Sequence, residues 1–129
     1  MSRITDFARH ETCAFGGMHN PRSDSILEHA LGVVEFCRPL VEVIQRRDRD
    51  LASQVRRAAN SIVLNIAEGF GCAAGNARLR FESALGSLYE AQTGLRLAIA
   101  WGYFSQAAAD EVLESMHCLG GRIYGLGRR

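Results

Sequence analysis

Apolar positions recur along the chain at helical spacing in four stretches. In the first, Ile26, Ala30, Val33, Cys37, Leu40 and Ile44 alternate by four and three residues, as one face of an amphipathic helix close to a heptad does. Ser25 with Glu28 three residues on reads as a capping box, so this helix is expected to begin at Ser25. Pro39 falls inside the run. It removes one backbone donor and is expected to bend the helix rather than end it, because the pattern continues beyond it. The segment Arg46 to Asp50, RRDRD, reads as a polar turn.

A second helix is expected from about Leu51 to Glu68, with Gly69-Phe70-Gly71 as a left-handed stop. At about 100° per residue, Leu51, Ala52, Val55, Ala58, Ala59, Ile62, Val63, Ile66 and Ala67 fill roughly half its circumference. A surface helix needs an apolar stripe of only about 100°. The excess implies that this helix packs on more than its own bundle, and so that subunits associate. A Gly-rich loop follows, with Asn76 as the expected cap of a third helix. Its core face is Phe81, Ala84, Leu85, Leu88, Ala91, Leu95, Ala98 and Ile99. Trp101, Tyr103 and Phe104 end it, either closing the bundle or offering a stacking surface. Ser105 is expected to cap a fourth helix, with Val112, Leu113, Met116, Leu119 and Ile123 inward. Gly120, Gly121, Gly125 and Gly127 should fray its last turns.

Four amphipathic helices with short connections predict an all-α, antiparallel up-down-up-down four-helix bundle over residues 23–129. Residues 1–22 lack periodicity and carry the turn signals Gly16-Gly17 and Asn20-Pro21, so they read as a flexible N-terminal arm. The length of 129 residues fits one domain. Hydrophobic residues make up 47% and charged residues 22%, which is enough for a packed core. The 15 basic and 14 acidic residues leave a formal charge of +1, which argues against a strongly cationic protein while permitting a local patch. All the basic residues are arginine. That excludes a catalytic lysine, a Schiff base and a phosphate-loop lysine. The start has no apolar core of a signal peptide, and the stretch Leu95 to Phe104 is too short to span a bilayer, so a cytoplasmic protein off the membrane is expected. Cys13, Cys37, Cys72 and Cys118 lie far apart and read as free thiols.

Gln54, Arg57, Ser61, Asn65 and Glu68 form a polar stripe beside the apolar arc of the second helix, and Arg80, Ser83, Ser87 and Glu90 recur similarly on the third. If the two helices pair about their loop, positions summing to about 147 stand level. Arg57 then faces Glu90, Ser61 faces Ser87, and Glu68 approaches Arg80. The expectation is a hydrogen-bonded and ionic ladder that fixes register more than it adds stability.

The run Gln54-Val-Arg-Arg-Ala-Ala-Asn-Ser-Ile-Val-Leu-Asn-Ile-Ala-Glu-Gly69, with Phe81, Ala84-Leu-Gly-Ser87 and Glu90, resembles the signature of the bacterial four-helix-bundle family of 23S rRNA intervening-sequence proteins. The accessory proteins of diversity-generating retroelements are similar. The resemblance covers roughly Leu27 to Leu126. It implies a bundle assembling into a ring-like homo-oligomer, with a homopentamer as the form associated with the family. It also implies a shared polar network of Arg57, Ser61, Asn65, Glu68, Ser87 and Glu90. Val63 stands where the family has proline, which should leave the second helix straighter, and Leu85 stands where it has a basic residue.

Candidate chemistry is sparse. Ser61 and Ser87 have no histidine at their level, Glu68 and Glu90 lie too far apart to share a proton, and Gly69, Gly71 and Gly75 do not follow a strand. No catalytic residue and no cofactor is assigned, and an enzyme is not expected. His10, Cys13 and His19 fit no standard zinc spacing, so no metal site is assigned either. Arg46, Arg47, Arg49 and Arg56 cluster between the first two helices, interleaved with Asp48 and Asp50. Repeated around a ring, that patch suits RNA or DNA. The expected function is a non-enzymatic oligomeric binding or scaffold protein. The alternative is a structural or protein-interaction module with no nucleic-acid binding.

Overall fold

A computed structural model describes residues 21–127. The chain is all-α over this range, with four helices: α1 (Pro21–Arg47), α2 (Arg49–Gly71), α3 (Ala74–Ala100) and α4 (Gln106–Gly127). Each packs on two others, α1 on α2 and α4, and α3 on α2 and α4, so the four surround one core. Ile26, Val33 and Ile44 of α1 meet Val55, Ile62 and Ile66 of α2, Leu88 and Leu95 of α3, and Met116, Leu119 and Ile123 of α4 in that core. Among the described residues no polar or charged residue is buried. The expected arm lies outside the described residues, apart from Pro21 and Arg22, which are helical.

Several boundaries differ from the sequence expectation, each for a local reason. Ser25 is not an N-cap, because α1 is already helical at Pro21; its hydroxyl instead accepts from Arg122 Nη2 of α4 at 2.7 Å. The Arg46–Asp50 segment is not a turn. Both helices run into it and leave Asp48 alone outside them. Asp48 is extended and its Oδ1 accepts from the Leu51 amide at 3.0 Å, an N-cap that starts α2 two residues early. Pro39 lies within α1, which continues past it.

Gly69 is not a left-handed stop. It is helical and buried, α2 runs on to Gly71, and the Cys72 amide donates to its carbonyl. A Cβ at Gly69 would collide with the Phe81 ring, so the glycine is there for close approach rather than for a turn. Asn76 does not cap α3, which begins at Ala74 after Ala73 with no side-chain cap.

The left-handed cap occurs at the other end of α3. Gly102 has φ +80, its amide donates to Ile99, and the Tyr103 amide donates to Ala98. This is the Schellman arrangement. Ser105 does cap α4, its Oγ accepting from the Ala108 amide at 3.2 Å. The glycines of α4 do not interrupt it before Gly127, since Ile123 and Leu126 stay buried among them.

The wide apolar arc of α2 is spent inside the single chain. Leu51, Ala52, Val55, Ala58, Ala59, Ile62 and Ile66 are buried, Val63 is half-buried, and Ala67 is exposed. Short connections hold α1 and α3 against both flanks of α2, and its alanines let them come close. Gly94 of α3 sits where a Cβ would lie 2.5 Å from Val55 Cγ2. The breadth of that arc therefore requires no second subunit.

Candidate functional site

The family-like run interlocks α2 with α3. Ser61 Oγ and Ser87 Oγ lie 2.7 Å apart, and Asn65 Nδ2 donates to both Ser61 Oγ and the Ser61 carbonyl at 2.9 Å. Two turns from the serine pair, Arg80 Nε pairs with Glu68 Oε2 at 3.2 Å, both side chains about half exposed. The same register places the Phe81 ring on Gly69 and Val55 against Gly94. Phe70 packs edge-on to Phe81 with centroids 5.2 Å apart. Arg57 and Glu90 are both exposed and no ion pair joins them, so the ladder has two rungs rather than three. Among the described residues the hydrogen-bond partners of these two hydroxyls are each other and Asn65.

The arginine cluster lies where α1 turns into α2. Arg46, Arg47 and Arg49 are exposed there. Tyr103, placed by the Gly102 turn, donates its phenol to Asp48 Oδ2 at 3.2 Å, and Arg47 lies over its ring with Cζ 5.5 Å from the centroid. Loss of water and the neighbouring carboxylate hold that phenol above its ordinary ionisation range. Asp48 is thus engaged on both oxygens by its own chain. Arg46, Arg49, Arg56 and Arg57 make no ion pair with any described residue. The same α3–α4 loop begins at Trp101, which is 69% exposed. One end of the bundle therefore joins unpaired guanidinium groups to an exposed indole.

Arg56 stands apart from that corner. It lies two turns along α2, on a shallow groove with Arg38, Glu35 and Glu42 of α1 over an apolar floor of Val34, Cys37, Val41 and Ala59. Arg38 carries no signal in the sequence. On its own it is one polar position of α1, and only the docking of α1 on α2 brings it beside Arg56. Cys37 under the groove is free, and burial pushes its thiol up to about 12. Cys72 and Cys118 are free and exposed. His10, Cys13 and His19 lie outside the described residues. Among the described residues no three histidine, cysteine or acidic side chains converge to hold a metal ion.

Large apolar side chains that stay exposed include Leu64 of α2, Leu79 and Leu97 of α3, and Trp101 just beyond α3. No helix among the described residues is long and apolar enough to cross a membrane. The model of one family, the 23S rRNA-intervening sequence protein, matches residues 25–125. No curated protein and no solved structure matches.

Proposed function

The chain belongs to the family of 23S rRNA-intervening sequence proteins; from that premise we propose that it is a non-enzymatic scaffold that binds RNA or DNA through the arginine-bearing end of an oligomer. The observation that carries this reading is the state of the charges at the α1–α2 corner. Arg46, Arg47 and Arg49 are exposed, and the acidic residue between them, Asp48, is bonded to the Leu51 amide and to Tyr103. Among the described residues no carboxylate pairs with Arg46 or Arg49, so phosphates would meet unclaimed guanidinium groups. Arg56 of α2 and Arg38 of α1 add a separate pair of guanidinium groups, shared with Glu35 and Glu42, on the α1–α2 groove.

The antiparallel up-down-up-down order is supported by the α2–α3 contacts, in which Ser61 meets Ser87 while the later Glu68 meets the earlier Arg80. A ring-like homo-oligomer, a pentamer by resemblance, would repeat the basic corner around one rim and turn weak contacts into avid ones. Cytoplasmic residence agrees with free thiols at Cys37, Cys72 and Cys118. The exposed Leu64, Leu79 and Leu97 favour a second reading, a protein-interaction module without nucleic acid, because exposed large apolar side chains are what a partner surface covers.

Filter binding of the purified protein to RNA and DNA across a salt series tests the first reading. Affinity falling steeply with salt, and lost on converting Arg46, Arg47 and Arg49 together to Ala, supports it. Binding absent at low salt leaves the second reading in its place.

A further inference from the structure

The seam between α1 and α4 carries a polar cluster that the nucleic-acid reading does not use. Arg122 of α4 reaches α1 with both terminal nitrogens. Nη1 lies 2.9 Å from His29 Nδ1, and Nη2 donates to Ser25 Oγ at 2.7 Å. The other imidazole nitrogen, His29 Nε2, lies 3.2 Å from the Ser115 carbonyl and 3.3 Å from Ser115 Oγ.

This geometry fixes the protonation state of the ring. A guanidinium can only donate, so Nδ1 must accept and carries no proton. The proton of the neutral ring is then on Nε2, which donates to the Ser115 carbonyl. A second proton has one place to go, Nδ1, where it would point at a cationic donor 2.9 Å away. The protonated ring and Arg122 cannot both keep their positions.

We propose that Ser25, His29, Ser115 and Arg122 form an acid-released clasp between α1 and α4, closed while the imidazole is neutral and opened when Nδ1 is protonated. Opening removes two bonds at once, because displacing the guanidinium from His29 also withdraws it from Ser25. It frees the first turns of α1, which hold Ile26 and Ala30 in the core.

Among the described residues, the charged side chain bonded to His29 is Arg122. On α4, Ser115 bonds the ring, and Cys118 and Glu111 share that edge of the helix. On α1, Ser25 and Glu28 flank it. The α2 side of α1 is the opposite edge, where Glu35, Arg38, Glu42 and Arg56 gather. Partial burial, then Arg122, hold His29 below its ordinary value of 6.5, against a smaller opposing effect of the Ser115 carbonyl. The clasp is therefore closed at neutral pH and opens as the pH falls below the ordinary histidine range.

The test is nitrogen-15 NMR of the full chain with amide hydrogen exchange, at about pH 7.5 and about pH 5. The expected spectrum at the higher pH is the Nε2–H tautomer. After correction for intrinsic exchange, protection of the α1 amides near residues 26–33 should fall about tenfold per unit of lowering of the His29 value. The α3 amides should change less. His29→Gln should abolish this pH response, and Arg122→Gln should move the His29 titration upward. An Nδ1–H tautomer, protection independent of pH, or the same response in His29→Gln would overturn the proposal. Circular dichroism checks that both variants fold. If neither does, the tautomer and titration of the unaltered chain decide alone.

Discussion

Tyr103 donates its phenol to Asp48 across 55 residues of chain, and so ties the α3–α4 loop to the one residue that separates α1 from α2. Asp48 Oδ1 already caps α2 through the Leu51 amide. One carboxylate thereby fixes two turns at the arginine-bearing end. Asp48→Ala removes both bonds and is expected to cost about 1–2 kcal/mol, the range for a lost cap. Tyr103→Phe removes one bond at the surface and should cost less. Urea unfolding monitored by circular dichroism checks the order. A Tyr103→Phe loss equal to that of Asp48→Ala would mean that the cap contributes nothing.

Two glycines of α2 and α3 should respond in opposite ways to the same change. Gly69→Ala drives a methyl into the Phe81 ring and is expected to destabilise by about 1–3 kcal/mol through overpacking. Gly86→Ala meets open space on a helix surface and should stabilise the monomer by up to about 1 kcal/mol. Thermal melts of the two variants side by side separate a packing glycine from a helix-weakening one.

The two rungs of the α2–α3 ladder should differ in strength. Ser61 and Ser87 are half-buried and 2.7 Å apart, so their double-mutant cycle to alanine should show coupling of about 0.5–1 kcal/mol. Glu68 and Arg80 are half in water, and their cycle should fall near the low end for exposed pairs, about 0.2–0.5 kcal/mol, shrinking with added salt. Coupling larger at the ion pair than at the serines would reverse this ranking.

Cys37 is expected to be unreactive where Cys72 and Cys118 are labelled. Burial raises its thiol from 9.0 to about 12, so its thiolate is scarce at neutral and mildly alkaline pH. The contribution of this group to stability is complete below pH 9 and is lost as pH rises toward 12, because the unfolded chain releases that proton first. Mass spectrometry of the native protein after brief alkylation at about pH 8 should find Cys37 unmodified.

If the outer face of α2 and α3 joins copies of the chain, Leu64→Glu combined with Leu97→Glu should lower the mass seen by light scattering and leave the helix content unchanged. Both leucines are exposed in the single chain, so the change does not touch its core.

The helices and their inward faces were legible in the sequence, because apolar spacing reports burial directly. The Ser61–Ser87 and Glu68–Arg80 contacts were legible too, since equal rise along two paired helices sets their level. The cap at Asp48 was missed because two aspartates and three arginines together look like a turn, and only backbone geometry shows that a single residue suffices. Gly69 was misread because a glycine at a helix end signals a left-handed cap, whereas the Phe81 ring needing its missing side chain comes from another helix. In the sequence alone the breadth of the α2 arc implies a second subunit. Small residues at Ala52, Ala58 and Ala59 let α1 and α3 cover it instead. The seam of Ser25, His29, Ser115 and Arg122 is not legible in spacing, since the bonded pairs across it lie more than 80 residues apart.

The chain holds one tryptophan, and Trp101 sits outside the core at the α3–α4 loop. Its emission is therefore already that of a wet indole in the native protein. Melting the bundle should barely shift its colour, so fluorescence will understate denaturation, whereas anything that settles on that end of the molecule will dim or blue-shift a signal with no competing background.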